Sequence, residues 1–101
     1  MNATTDSFSA PLHHAALHGA QDVAALLIAN GAKLEARDTS EHTPLHVAAY
    51  YNKMNVAELL VQHGAEVDAR GTFHWTPLVV AVHMGNTDIA EFLIQRGGSV
   101  N

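Results

Sequence analysis

Thr43-Pro44-Leu45-His46-Val47-Ala48-Ala49 is one of three versions of the same phrase. Ala10-Pro11-Leu12-His13-His14-Ala15-Ala16 precedes it and Thr76-Pro77-Leu78-Val79-Val80-Ala81-Val82 follows; the prolines at 11, 44 and 77 set a spacing of 33 residues. Within the phrase, Thr43 is placed to cap a helix and Pro44 to fill its first turn, where a missing amide hydrogen removes no bond. Leu45, Ala48 and Ala49 then recur at the three-and-four spacing of a helix face, and Asn52 closes the helix where Gly19 and Gly85 stand in the other copies. A second helix is predicted from about Met54 to His63, with Val56, Ala57, Leu59 and Leu60 apolar and Gly64 as its stop.

The register extends well past the phrase. Val23, Val56 and Ile89 fall one period apart, as do Leu26-Leu27, Leu59-Leu60 and Phe92-Leu93, and as do Gly31, Gly64 and Gly97. Asp22, Asn55 and Asp88 occupy the first turn of each second helix, where a carboxylate favours the helix dipole and an amide can cap. Helices this short are marginal in isolation, so neighbouring units must hold each other, and the ends are weak points. A stack of helix pairs has no deep cleft; its function is sought on a surface.

These residues resemble the ankyrin repeat, whose unit has this period and a Thr-Pro-Leu-His-x-Ala core. The resemblance covers the chain from about Thr5 to Asn101. It implies an all-α fold, an ankyrin-repeat solenoid of three helix-turn-helix units joined by hairpin loops. Residues 1–101 would form a single ankyrin-repeat domain, with repeats at about 5–37, 38–70 and 71–101. The chain departs from the pattern in several places. Ala10 stands at a capping threonine position, unless Ser9 takes over; Val79 replaces the histidine of the other copies; and Phe8, Glu41 and His74 occupy the bend position where the family has glycine. Irregular hairpin tips are therefore expected. Neither end is visibly polar, since the final helix keeps Ile89, Phe92, Leu93 and Ile94. A terminal unit normally carries a polar outer face, so the chain is expected either to be part of a longer array or to self-associate through uncapped ends.

Composition narrows the function. Of 101 residues, 48% are hydrophobic and 15% charged, and much of the apolar share is alanine, which suits close helix packing. Five Lys and Arg against ten Asp and Glu give a net charge of −5, and the basic residues are scattered, which argues against nucleic acid. Arg37 and Arg70, one period apart, make at most a small stripe. The absence of cysteine excludes disulfides, a thiolate nucleophile and a sulfur-ligated metal site. No apolar run approaches the roughly 18 residues that span a bilayer, and Met1 to Ala10 lacks the regions of a secretion signal. A soluble, cytoplasmic protein without a membrane partner is expected.

In ankyrin proteins the hairpin tips and the inner face of the first helices meet the partner. Carried over, that implies Asp6, Ser7, Ser9, Leu17 and His18 in the first unit; Thr39, Ser40, His42, Tyr50 and Tyr51 in the second; and Thr72, Phe73, Trp75, His83 and Met84 in the third. Four of the six aromatic residues, Tyr50, Tyr51, Phe73 and Trp75, fall in this set, Phe8 lies on a tip, and only Phe92 belongs to the frame. Aromatic residues dominate interface hot spots, so the second and third units are expected to carry the contact, through His42, Tyr50, Tyr51, Phe73, Trp75, His83 and Met84. The alternative is that Tyr51, Phe73 and Trp75 pack against each other between hairpins.

Other constellations carry less. His14 and His18 are four apart on a helix, a spacing at which two imidazoles can share an ion, but a third ligand would have to come from Tyr51 or Asp6, and no metal site is assigned. His13 and His46 match the family histidine, which implies a structural hydrogen bond to the neighbouring hairpin. Protonating all eight histidines would move the net charge from −5 to +3, so partner affinity is expected to respond to pH through His18, His42, His74 and His83. Ser40, His42 and Asp38 lie close in sequence but on a hairpin with no oxyanion donors, and Gly97-Gly98 follows a helix instead of opening one, so neither a hydrolase triad nor a phosphate loop is indicated. Glu66 and Asp68 are loop charges. The expectation is a non-enzymatic scaffold without cofactors that binds a protein or peptide, the alternative being a structural ankyrin segment of a larger enzyme or channel that packs against its own domains.

Overall fold

The computed structural model describes residues 9–98, with side chains from Pro11 onward. Asp6, Ser7 and Phe8, three of the tip positions expected above, lie outside the described residues, as does the side chain of Ser9. Six α-helices follow in pairs: α1 (Ser9–His18), α2 (Gln21–Ala29), α3 (Pro44–Tyr50), α4 (Met54–Gln62), α5 (Pro77–Met84) and α6 (Thr87–Gln95). A 3-10 turn, Thr72–His74, precedes α5, and there is no strand among the described residues. The first helices stack α1-α3-α5 and the second helices α2-α4-α6, in a body 33 × 27 × 20 Å.

Each boundary has a local cause. The Thr43 hydroxyl accepts from the His46 amide, and the His46 ring reaches back to the Thr43 amide, a capping box that ties two of the helix's orphan donors. Thr76 caps α5 in the same way through the Val79 amide, but valine cannot reach back. The first helices end in a wrapped turn repeated each period: the amides of Ala20, Lys53 and Asn86 donate to the carbonyls of Ala15, Ala48 and Ala81 at 2.9, 2.9 and 2.8 Å. Asn52 sits at φ 60°, the left-handed cap expected of it.

The core is the repeated apolar set. Leu12, Leu45 and Leu78 are buried in the first helices, and Val56, Leu60, Ile89 and Leu93 in the second. Buried alanines, among them Ala15, Ala16, Ala24, Ala48, Ala49 and Ala57, let the pairs approach closely. Each fully buried leucine stabilises the stack by about 2 kcal/mol, which helices of seven to ten residues need because they are marginal alone.

Three frame positions behave differently at the ends. Val23 and Leu26 are 50% and 62% exposed, although Val56 and Ile89, one and two periods on from Val23, are fully buried. This face of each unit packs toward the unit before it, and no described unit precedes the first. At the other end Val82 is 64% exposed where Ala49 is buried. Asn55 does more than serve its own helix: its Oδ1 accepts from the Val56 amide in the first turn of α4 at 2.8 Å, while its Nδ2 donates to the Gly19 carbonyl of the preceding unit at 3.0 Å. Asn86 does the same toward the Ala49 and Tyr50 carbonyls, at 2.7 and 3.3 Å.

Candidate functional site

The hairpins before α3 and α5 are joined by side chains that sequence alone did not mark as linkers. Arg37 Nη1 donates to the carbonyls of Glu41 and Arg70, and the Thr72 hydroxyl donates to the Ser40 carbonyl. Arg37 is therefore a strut between hairpins. His46 forms a buried latch, its Nε2 donating to the Trp75 carbonyl at 2.8 Å, and His13 repeats the contact to the His42 carbonyl at 2.8 Å. With Nε2 donating, Nδ1 is left to face the Thr43 amide and hydroxyl. Burial pushes the His46 pKa down to about 4, against the opposing pull of the Trp75 carbonyl. Close approach of the hairpins depends on Gly71, since a Cβ there would lie 3.1 Å from the Glu41 oxygen and 3.2 Å from His46 Nε2.

The tips take backbone conformations that L-residues avoid. Glu41 and His74, at the expected bend position, stand at φ 66° and 60°, and Phe73 also lies at φ 60° within the 3-10 turn. Three non-glycine residues in the left-handed region store roughly 1–2 kcal/mol each. In the third hairpin this bend accompanies Phe73 in an outward position, 83% exposed.

Between the second and third hairpins and the inner face of α3 and α5 lies a groove of about 440 Å³. Ser40, His42, Tyr50, Thr72, Phe73, Trp75, Val80, His83 and Met84 line it. Tyr50 comes from the last turn of α3, His83 and Met84 from that of α5, and Val80 one turn earlier. The Trp75 ring tilts against His83 at 5.0 Å and against Phe73 at 6.5 Å. It is only half-buried and also touches the hydrophobic core, so Trp75 belongs both to the groove and to the frame.

Six of the seven candidate contact residues line this groove; Tyr51 does not. Tyr51 pairs with Tyr50 at 4.7 Å and lines an adjoining hollow of about 350 Å³ with Asp38, Ser40, His42, His46, Val47, Tyr50 and Val80. A shallower continuation reaches His13, His14 and Leu17 past Asp38 and Val47, so one trough crosses the inner face of all three units. His18, Thr39 and His74 do not line it. The four aromatic residues thus form two pairs instead of one packed cluster. Sequence reasoning missed Val80 and Val47 as lining residues, although each stands one turn before an aromatic or histidine residue on the same helix face, a spacing that carries the signal.

The remaining constellations resolve into structural roles. Asp38 Oδ1 accepts from the backbone amides of Ser40 and His42 at 2.8 and 3.0 Å, so it braces a turn instead of orienting a histidine. His14 and His18 stack at 6.2 Å, and among the described residues no three His, Cys, Asp or Glu gather around a common point. No helix among the described residues is long and apolar enough to cross a membrane. A family model for ankyrin repeats, in three copies, matches residues 12–101. Comparison with curated proteins finds no match.

Proposed function

Given that the chain belongs to the ankyrin-repeat family, whose members are generally protein-interaction modules without catalytic activity, we propose that it is a non-enzymatic binding scaffold whose groove between the second and third units receives a protein or peptide partner. The single domain would comprise repeats bounded near 5–37, 38–70 and 71–101. His42, Tyr50, Phe73, Trp75, His83 and Met84 make the contact, with Tyr51 extending it toward the first unit. One observation carries this: an exposed aromatic residue, Phe73, held at a strained φ over an apolar groove whose floor is buried Val80. Selection of a phage-displayed peptide library on the immobilised chain tests it. Enriched peptides should lose at least about tenfold in affinity on Phe73→Ala, as hot-spot truncations do, without a change in melting temperature. Enrichment of no peptide, or of peptides indifferent to Phe73→Ala, overturns the proposal; inert behaviour is what a segment packed only against its own larger protein would show.

We also propose, on a separate observation, that the ends support self-association, because Val23 and Leu26 at one end and Val82 and Ile94 at the other are exposed. The contact would not copy the internal one: Asp22 stands where Asn55 donates to Gly19, and Val79 lacks the His46 latch. A single monomeric species in sedimentation at high protein concentration refutes it.

A further inference from the structure

The trough that crosses the inner face is uneven in charge. None of the side chains around the groove beside Phe73 and Trp75 is Asp, Glu, Lys or Arg, whereas the hollow next to it and the shallower stretch beyond share one charged side chain, Asp38. Resting on the binding role proposed above, we infer that the partner is an extended segment with an uncharged apolar anchor and a lysine or arginine about three residues away that meets Asp38.

The physical case begins with pre-organisation. Two backbone amides hold Oδ1 of Asp38 in a fixed turn, so the carboxylate loses little freedom when a cation docks. Arg37, the adjacent cation in sequence, directs its guanidinium to the carbonyls of Glu41 and Arg70. The chain as a whole is acidic, at −5, which favours approach of a basic segment. The anchor end offers no countercharge, and a charged side chain seated among Phe73, Trp75 and Val80 would be desolvated without a partner. Spacing follows from the repeat: Asp38 and Gly71, at the start of the third hairpin, are one period apart, adjacent helices pack about 8–10 Å apart, and an extended chain rises about 3.3 Å per residue, which places the two side chains roughly three residues apart.

The test uses the tightest peptide from the library selection, resynthesised with Lys, Gln or Glu three residues to either side of its apolar anchor, and measures Kd by fluorescence anisotropy at low and high salt. The Lys peptide should bind about fivefold tighter than the Gln peptide in one of the two directions, as a partly exposed ion pair provides, and the Glu peptide more weakly than both. Asp38→Asn keeps the turn's acceptor oxygen and removes the charge; it should abolish the preference for Lys over Gln. Equal affinities, a preference for Glu, or a Lys preference that survives Asp38→Asn overturns the inference while the groove proposal stands, provided Phe73→Ala still weakens binding at least about tenfold. If Phe73→Ala has no effect, the groove proposal fails and the inference fails with it.

Discussion

Acidification should destabilise the folded chain through His46. In the folded chain its pKa is held down at about 4 by burial, against the model-peptide value of 6.5. The unfolded chain therefore takes up a proton below about pH 6.5 that the folded chain refuses until about pH 4, so stability rises with pH through this window and is lost as pH falls through it. At 1.36 kcal/mol per pH unit, the loss approaches about 3 kcal/mol once the whole window is crossed, and is about 2.5 kcal/mol at pH 4.5. That is a large share of the roughly 5–15 kcal/mol expected of a domain this size. Protonating Nδ1 would also remove the acceptor for the Thr43 amide and hydroxyl. Urea unfolding followed by circular dichroism at pH 7.5 and pH 4.5 measures the change, with His46→Gln as the reference. Glutamine at this third helical position preserves the capping box and does not titrate. The wild type should lose about 2.5 kcal/mol more than His46→Gln between the two pH values; the same pH dependence in both chains refutes the reasoning, because all other titrating groups are common to them.

Three further outcomes follow from the packing. Trp75→Ala should lower both partner affinity and stability, the latter by about 2 kcal/mol, since the ring is half-buried against the core; unchanged urea midpoint would place the ring outside the frame. Glu41→Gly and His74→Gly should each raise the unfolding free energy, by about 0.5–1 kcal/mol, because glycine relieves the left-handed backbone; a lowered melting temperature in both would contradict the strain assigned to the tips. Asn86→Ala should destabilise by about 1–2 kcal/mol through the orphaned carbonyls of Ala49 and Tyr50, and an unchanged midpoint in urea would remove its role as a bridge.

The frame was legible in the sequence because its determinants are local and repeat each period. Thr43-Pro44 starts a helix, Asn52 and Gly85 stop one, and apolar residues three and four apart, such as Leu45 with Ala48 and Ala49 or Val56 with Leu59 and Leu60, face the core. Interactions between units were harder to read. Nothing in the order of residues announces that Asn55 and Asn86 reach back to the previous unit, or that Arg37 spans two hairpins, because those partners are 33 to 37 residues away. The groove was legible in part. Phe73, Tyr50 and Met84 are exposed as the repeat register implies, but the half-burial of Trp75 depends on the hairpin backbone. That backbone is set by Glu41, Phe73 and His74 at positive φ, a conformation their side chains do not signal.

Nuclear magnetic resonance titration of the labelled chain with a library-selected peptide tests the central claim most directly. Binding in the groove should shift the Trp75 indole N–H, the Met84 methyl and the amides of Phe73 and His83, while the outer faces of α2, α4 and α6 stay unmoved. Shifts confined to those second helices, with the Trp75 and Met84 signals in place, would contradict it.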